Sequence, residues 1–179
     1  FDDLFIDITY IHLKAQILSG VGKYKRALDL LTRFEREMSS KGMLLPVEAN
    51  SIYLYLGYLY YEYGEFEASL SSIKKCIEIS SIKMDIFRLA SAYVLVARIN
   101  QNTGNYAEMM KYIEKVDSLC SKNNARLIMY NLIAYIVRTL LLAGKAECAE
   151  YFVKKYNICV QDSFDVSYED AYLALADLY

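Results

Sequence analysis

Gly64, Gly104 and Gly144 stand forty residues apart, and Gly22 lies forty-two residues before the first of them. The residues around each glycine repeat as well. Two after it are Tyr24, Phe66, Tyr106 and Ala146; five after it are Ala27, Ser69, Met109 and Ala149; nine after it are Leu31, Ile73, Ile113 and Val153. Four before it are Leu18, Tyr60, Asn100 and Leu140; seven before it are Ala15, Gly57, Ala97 and Val137; eleven before it are Ile11, Tyr53, Tyr93 and Ile133. Such offsets return to one face of a helix that turns once in about 3.6 residues. Each unit is therefore expected to be an apolar-faced helix, a glycine turn that enters positive φ without a Cβ penalty, and a second apolar-faced helix. The small residue seven before the glycine would let the paired helices approach closely. The aromatic two after it would plug the gap between them. In the third unit Asn105 and Glu108 read as an N-cap and its capping-box partner.

The chain has 179 residues, 55% hydrophobic and 23% charged, with a single proline. That composition suits an all-helical globular chain, long enough to bury about 70% of its unfolded surface. Pro46, after Gly42-Met43-Leu44-Leu45, fits the first turn of a helix. The net charge of -2 with no long basic run argues against direct nucleic-acid binding by this segment. No stretch of eighteen apolar residues predicts a membrane span. Cys76, Cys120, Cys148 and Cys159 form no C-x-x-C pair and fall in or at the end of predicted helices, so they read as buried thiols of a reducing, cytoplasmic compartment. His12 is the only histidine and has no cysteine near it in sequence, so neither a metal nor a cofactor is expected.

The stretch Tyr53-Leu54-Tyr55-Leu56-Gly57-Tyr58-Leu59-Tyr60-Tyr61-Glu62-Tyr63-Gly64-Glu65-Phe66 resembles a tetratricopeptide repeat: an aromatic, Leu-Gly three residues later, a tyrosine, then Gly-x-aromatic. Ser69 replaces the usual alanine of the second helix, the third unit has Asn100 for the tyrosine, the fourth has Ala146 for the aromatic, and the first has Lys14 where leucine is expected. The resemblance covers nearly the whole chain. It implies an all-α fold, a right-handed α-α superhelix (tetratricopeptide-like solenoid) of about four helical hairpins plus a final helix. The units are expected at roughly 3–40, 46–81, 84–121 and 124–160, with a partial one at 166–179, in a single domain of a longer protein. The family repeat is about 34 residues, so each unit is about six longer. Part of the excess is expected in loops, as at Ser39-Ser40-Lys41-Gly42 and Ser121-Lys122-Asn123-Asn124. In length the units are similar to those of kinesin light chains and of the sensor arrays of bacterial transcription regulators.

No catalytic set emerges. There is no G-x-G-x-x-G, G-x-S-x-G or H-E-x-x-H, and Gly20-Val21-Gly22-Lys23 and Gly144-Lys145 lack the spacing and hydroxyl of a phosphate loop. The chain is not expected to be an enzyme. Tyr53 and Tyr60 fall on the interface face, whereas Tyr58 and Tyr61 fall elsewhere. The resemblance implies that residues thirteen, ten, six and three before the glycine face the concave side. These are Thr9, His12, Gln16 and Ser19; Ser51, Leu54, Tyr58 and Tyr61; Ser91, Val94, Arg98 and Gln101; and Asn131, Ala134, Arg138 and Leu141. His12, Gln16, Tyr58, Tyr61, Arg98, Gln101, Asn131 and Arg138 are the candidates for contact with a partner.

Arg98 and Arg138 occupy one position in adjacent units. Their guanidinium forks would grip a carboxylate or phosphate, or else pair with nearby acids or reach to water. The lysine-and-asparagine carboxylate clamp of chaperone-binding members is not reproduced. The expected function is a protein- or peptide-binding scaffold. The alternative is a ligand-sensing module of a signalling or transcription regulator whose effector domain lies outside this segment. Leu173, Leu175 and Leu178, on the expected final helix, would offer an apolar edge for homodimerisation.

Overall fold

The structure, a computed structural model, describes residues 2–40, 49–123, 125–157 and 176. Pro46, Cys159 and the expected partial fifth unit lie outside the described residues. Those described form helices α1 (Asp2–Gly20), α2 (Tyr24–Ser40), α3 (Asn50–Glu62), α4 (Phe66–Lys83), α5 (Ile86–Asn102), α6 (Tyr106–Lys122), α7 (Arg126–Leu142) and α8 (Ala146–Lys155). The chain divides into two compact units, Phe1–Ala92 and Tyr93–Tyr179. In the first, α1 packs on α2, α3 packs on α4, and α3 also meets both α1 and α2. In the second, α7 packs on α8 and on α6. Among the described residues the protein is all-α, built from tetratricopeptide-type hairpins.

The four turn glycines share one backbone shape, with φ of 74° at Gly22, Gly64 and Gly104 and 69° at Gly144. Each turn is closed by the same two hydrogen bonds. In the second repeat the Gly64 N–H donates to Tyr61 O at 2.9 Å and the Glu65 N–H to Tyr60 O at 2.9 Å; in the fourth the Gly144 N–H donates to Leu141 O at 2.9 Å and the Lys145 N–H to Leu140 O at 2.8 Å. This Schellman pairing satisfies carbonyls that the first helix would otherwise leave unpaired. The α4–α5 turn takes the same form without glycine: Met84 has φ 56° and the Asp85 N–H donates to Ser80 O at 3.0 Å.

The second helices bury one row each, five, nine, twelve and sixteen residues after the glycine. On α2 these are Ala27, Leu31, Phe34 and Met38; on α4, Ser69, Ile73, Cys76 and Ser80; on α6, Met109, Ile113, Val116 and Cys120. The steps of four, three and four keep the row on one face. The sixteenth position corrects the loop expectation: Ser39, Ser40, Ser121 and Lys122 are helical, because Met38 and Cys120 add a buried turn. Asn105 is the N-cap of α6, its Oδ1 accepting from the Glu108 N–H at 3.5 Å. Its own N–H is taken by Asn100 O at 2.8 Å, so the expected reciprocal bond from Glu108 is replaced by a Glu108–Lys111 pair at 2.5 Å. The expected aromatic plug is also corrected. Tyr24 and Tyr106 are exposed, and only Phe66 of the three meets another ring, that of Tyr61 at 5.9 Å. The small residue in the first helix closes the gap instead.

Gly57 shows how tight that approach is. A Cβ built there would lie 2.6 Å from Ile73 Cγ1 and nearer still to Cδ1. Ser69, fully buried, donates from Oγ to Gly57 O at 2.6 Å, which explains a serine in the usual alanine position. An Asn50–Asp85 network ties α3 to the start of α5: Asn50 Nδ2 donates to Asp85 Oδ2 at 3.0 Å and to Ser80 Oγ at 3.2 Å. The Arg88 N–H donates to Asp85 Oδ1 at 3.1 Å and its guanidinium to Oδ2 at 2.6 Å. Burial opposes ionisation of Asp85, but these donors outweigh it and hold the carboxyl below its ordinary range.

Candidate functional site: the first-helix faces

In the first unit α1 and α3 bring aromatic groups together. The His12 ring meets Tyr55 edge-on at 5.6 Å, and Tyr55 stacks on Tyr58 at 5.9 Å. His12 and Tyr58 are two of the residues expected to contact a partner; Tyr55, which joins them, is not among those. His12 is half-buried, and desolvation, followed by the positive charge of Arg88, lowers its pKa. Gln16 is exposed on α1, and Tyr61 is partly covered, with Phe66 against it.

In the second unit the Arg98 guanidinium of α5 lies over the Tyr135 ring of α7, 5.3 Å from its centroid. Such stacking fixes the orientation of a guanidinium plane. Arg138 is exposed on α7 and Gln101 partly exposed on α5. The side chain of Asn131 lies outside the described residues. Four other positions inferred to face a groove are buried instead: Ser19 (7% exposed), Ser51 (6%), Val94 (4%) and Ala134 (2%). They are small or β-branched residues, and neighbouring chain closes over them.

The second helices carry a regular polar row that sequence reasoning passed over. Lys75 of α4 bonds Glu35 of α2 at 2.7 Å and lies 4.9 Å from the Tyr53 ring centroid. Lys155, the last residue of α8, bonds both oxygens of Asp117 of α6 at 2.7 Å, and Tyr156 Oη donates to Asp117 Oδ1 at 2.6 Å. Each lysine stands eleven, and each acid thirteen, after its own glycine. Lys115, also at eleven, lies over Tyr112 at 4.1 Å and Tyr93 at 5.6 Å. Burial, then the Glu35 charge, pushes Tyr53 up to about 12. Burial, then the bond to Asp117, raises Tyr156. Reading the glycine register out to thirteen residues would have exposed this row.

The thiols offer little chemistry. Cys76 and Cys120 are buried, and burial pushes both up to about 11, which keeps them protonated. Among the described residues there is no group of three His, Cys, Asp or Glu that could hold a metal ion, and no helix long and apolar enough to cross a membrane.

Residues 51–82 and 90–123 match the family profile described as Tetratricopeptide repeat. The chain is similar to tetratricopeptide repeat protein 29 of Homo sapiens, 26% identical over 169 residues, covering 94% of this chain and 34% of that protein. Tetratricopeptide repeat protein 29 of Macaca fascicularis is similar to the same extent, 26% over 169 residues. The chain thus spans about a third of the length of these curated relatives. No solved structure matches it. A turn that recurs with nearly the same φ at four regularly spaced glycines is what this repeat requires, and residues 51–82 and 90–123 match two tetratricopeptide repeats outright.

Proposed function

We propose that the chain binds a protein or peptide partner through the accessible faces of its first helices. Tetratricopeptide repeats serve protein–protein interaction, and family members are typically non-catalytic scaffolds. The observation that carries the reading is Arg98, held over the Tyr135 ring in the unit that also exposes Arg138. Two cations at one register position of α5 and α7 favour an acidic stretch of partner, gripped through side-chain carboxylates. In the first unit, His12, Tyr55 and Tyr58 form an aromatic patch suited to apolar side chains.

Selection of a random displayed-peptide library on the purified protein tests this. Enrichment of peptides that combine Asp or Glu with aromatic or aliphatic residues is expected. Enrichment of basic peptides, or of none, would contradict it.

A further inference from the structure

Helix α1 carries an apolar stripe that faces solvent. Ile6 is 61% exposed, Tyr10 58%, Leu13 52%, Ile17 69% and Val21, just past the helix, 61%. Their spacings of four, three, four and four follow one side of the helix. A run of large apolar residues this regular is a buried face lacking its cover, because singly scattered exposed hydrophobics show no such order.

The register says what covers it. Tyr10, Leu13 and Ile17 stand twelve, nine and five before Gly22. On α3 the same offsets are Ile52, Tyr55 and Leu59, and on α7 they are Leu132, Tyr135 and Thr139. Ile52 and Leu59 are fully buried, Leu132 is 6% exposed and Thr139 4%. The residue nine before the glycine touches the preceding first helix in both units: Tyr55 of α3 meets His12 of α1, and Tyr135 of α7 meets Arg98 of α5. This side of a first helix is thus the one that receives the preceding hairpin. On α1 it is equally apolar and is open.

We infer that a further tetratricopeptide-type hairpin, encoded upstream of Asp2 in the native polypeptide, packs on Tyr10, Leu13 and Ile17. Its second helix carries the small-then-large apolar row that α2 shows at Ala27, Leu31 and Phe34. The relatives extend well beyond the matched part, which is 34% of their length. A second copy of the chain is the competing occupant.

Thiol labelling of the full native polypeptide decides between them. Ile17→Cys and, separately, Tyr10→Cys, whose equivalents on α3 and α7 are buried, are compared with Gln16→Cys, which lies off the stripe on the same helix and is exposed. Maleimide modification at each site is followed by mass spectrometry at two protein concentrations. Labelling at positions 17 and 10 is expected to be at least roughly tenfold slower than at 16, independent of concentration, because a covered thiol is inaccessible. Equal rates at the three sites would overturn the inference. Protection that disappears on dilution would overturn it too, by assigning the stripe to a second copy.

Discussion

Lys155 grips both carboxylate oxygens of Asp117 at 2.7 Å across the step from α6 to α8, and Lys75 reaches one oxygen of Glu35, Oε1, at 2.7 Å across the step from α2 to α4. In each case the lysine belongs to the later hairpin and the acid to the earlier one, 38 and 40 residues apart. The pair at Asp117 has a third member in Tyr156, whose hydroxyl depends on the same carboxylate.

Asp117→Ala should therefore cost about 1–2 kcal/mol, since it leaves the mostly buried Tyr156 hydroxyl without its charged acceptor. Lys155→Ala should cost less, about 0–1 kcal/mol, because its ammonium is partly solvated. Urea unfolding of the two variants gives the comparison; a larger loss for Lys155→Ala would place the stabilisation in the ion pair and not in the tyrosine.

The turns predict opposite effects at two equivalent positions. Gly104→Ala meets nothing within 4 Å, so its only penalty is positive φ; a loss of about 1 kcal/mol is expected. Met84 already bears that penalty at φ 56° with its side chain exposed, and Met84→Gly should gain up to about 1 kcal/mol. Thermal denaturation would refute this if both substitutions moved Tm the same way.

Gly57 has a steric reason to be glycine. Gly57→Ala gains helix propensity but drives a methyl into Ile73, which is fully buried; the net loss should be about 1–2 kcal/mol. Ile73→Val removes the nearest atom and should cost less in the Gly57→Ala background than alone. Strict additivity in the double-mutant cycle would show that the contact relaxes freely.

His12 makes stability pH-dependent. Its folded pKa lies below the ordinary histidine value of 6.5, so the unfolded chain binds the proton more readily. Stability then rises with pH across the window from the folded value up to about 6.5, and is lost as pH falls through that window. His12→Phe keeps a ring against Tyr55 and removes the titration. Its denaturation midpoint should be flat between about pH 7 and 5.5 relative to wild type; an unchanged slope would assign the effect to carboxylates.

The glycine register made the hairpins legible, because a positive-φ turn and a helical row leave periodic marks in sequence. The helix ends were less so: Ser39-Ser40 and Ser121-Lys122 look like loop by residue type, and only the buried Met38 and Cys120 keep them helical. Of the candidate face, Arg98, Arg138 and His12 were legible by offset. Tyr55 and Tyr135 were not, since nine before the glycine belongs neither to the repeating apolar row nor to the offsets that the resemblance assigns to the concave side. Ser51 and Ala134 were misread for the converse reason: a small residue allows close approach and is covered by it.

The most direct test of partner binding through the first helices is calorimetric titration of a library-enriched acidic peptide into wild type, Arg98→Lys and the double variant Arg98→Glu with Arg138→Glu, with helicity checked by circular dichroism. The lysine variant keeps the charge but loses the planar fork stacked on Tyr135 and should weaken binding by roughly tenfold, whereas the double reversal should weaken it by roughly a hundredfold at unchanged helicity. Equal affinity for all three proteins would contradict the account and move the binding surface off α5 and α7.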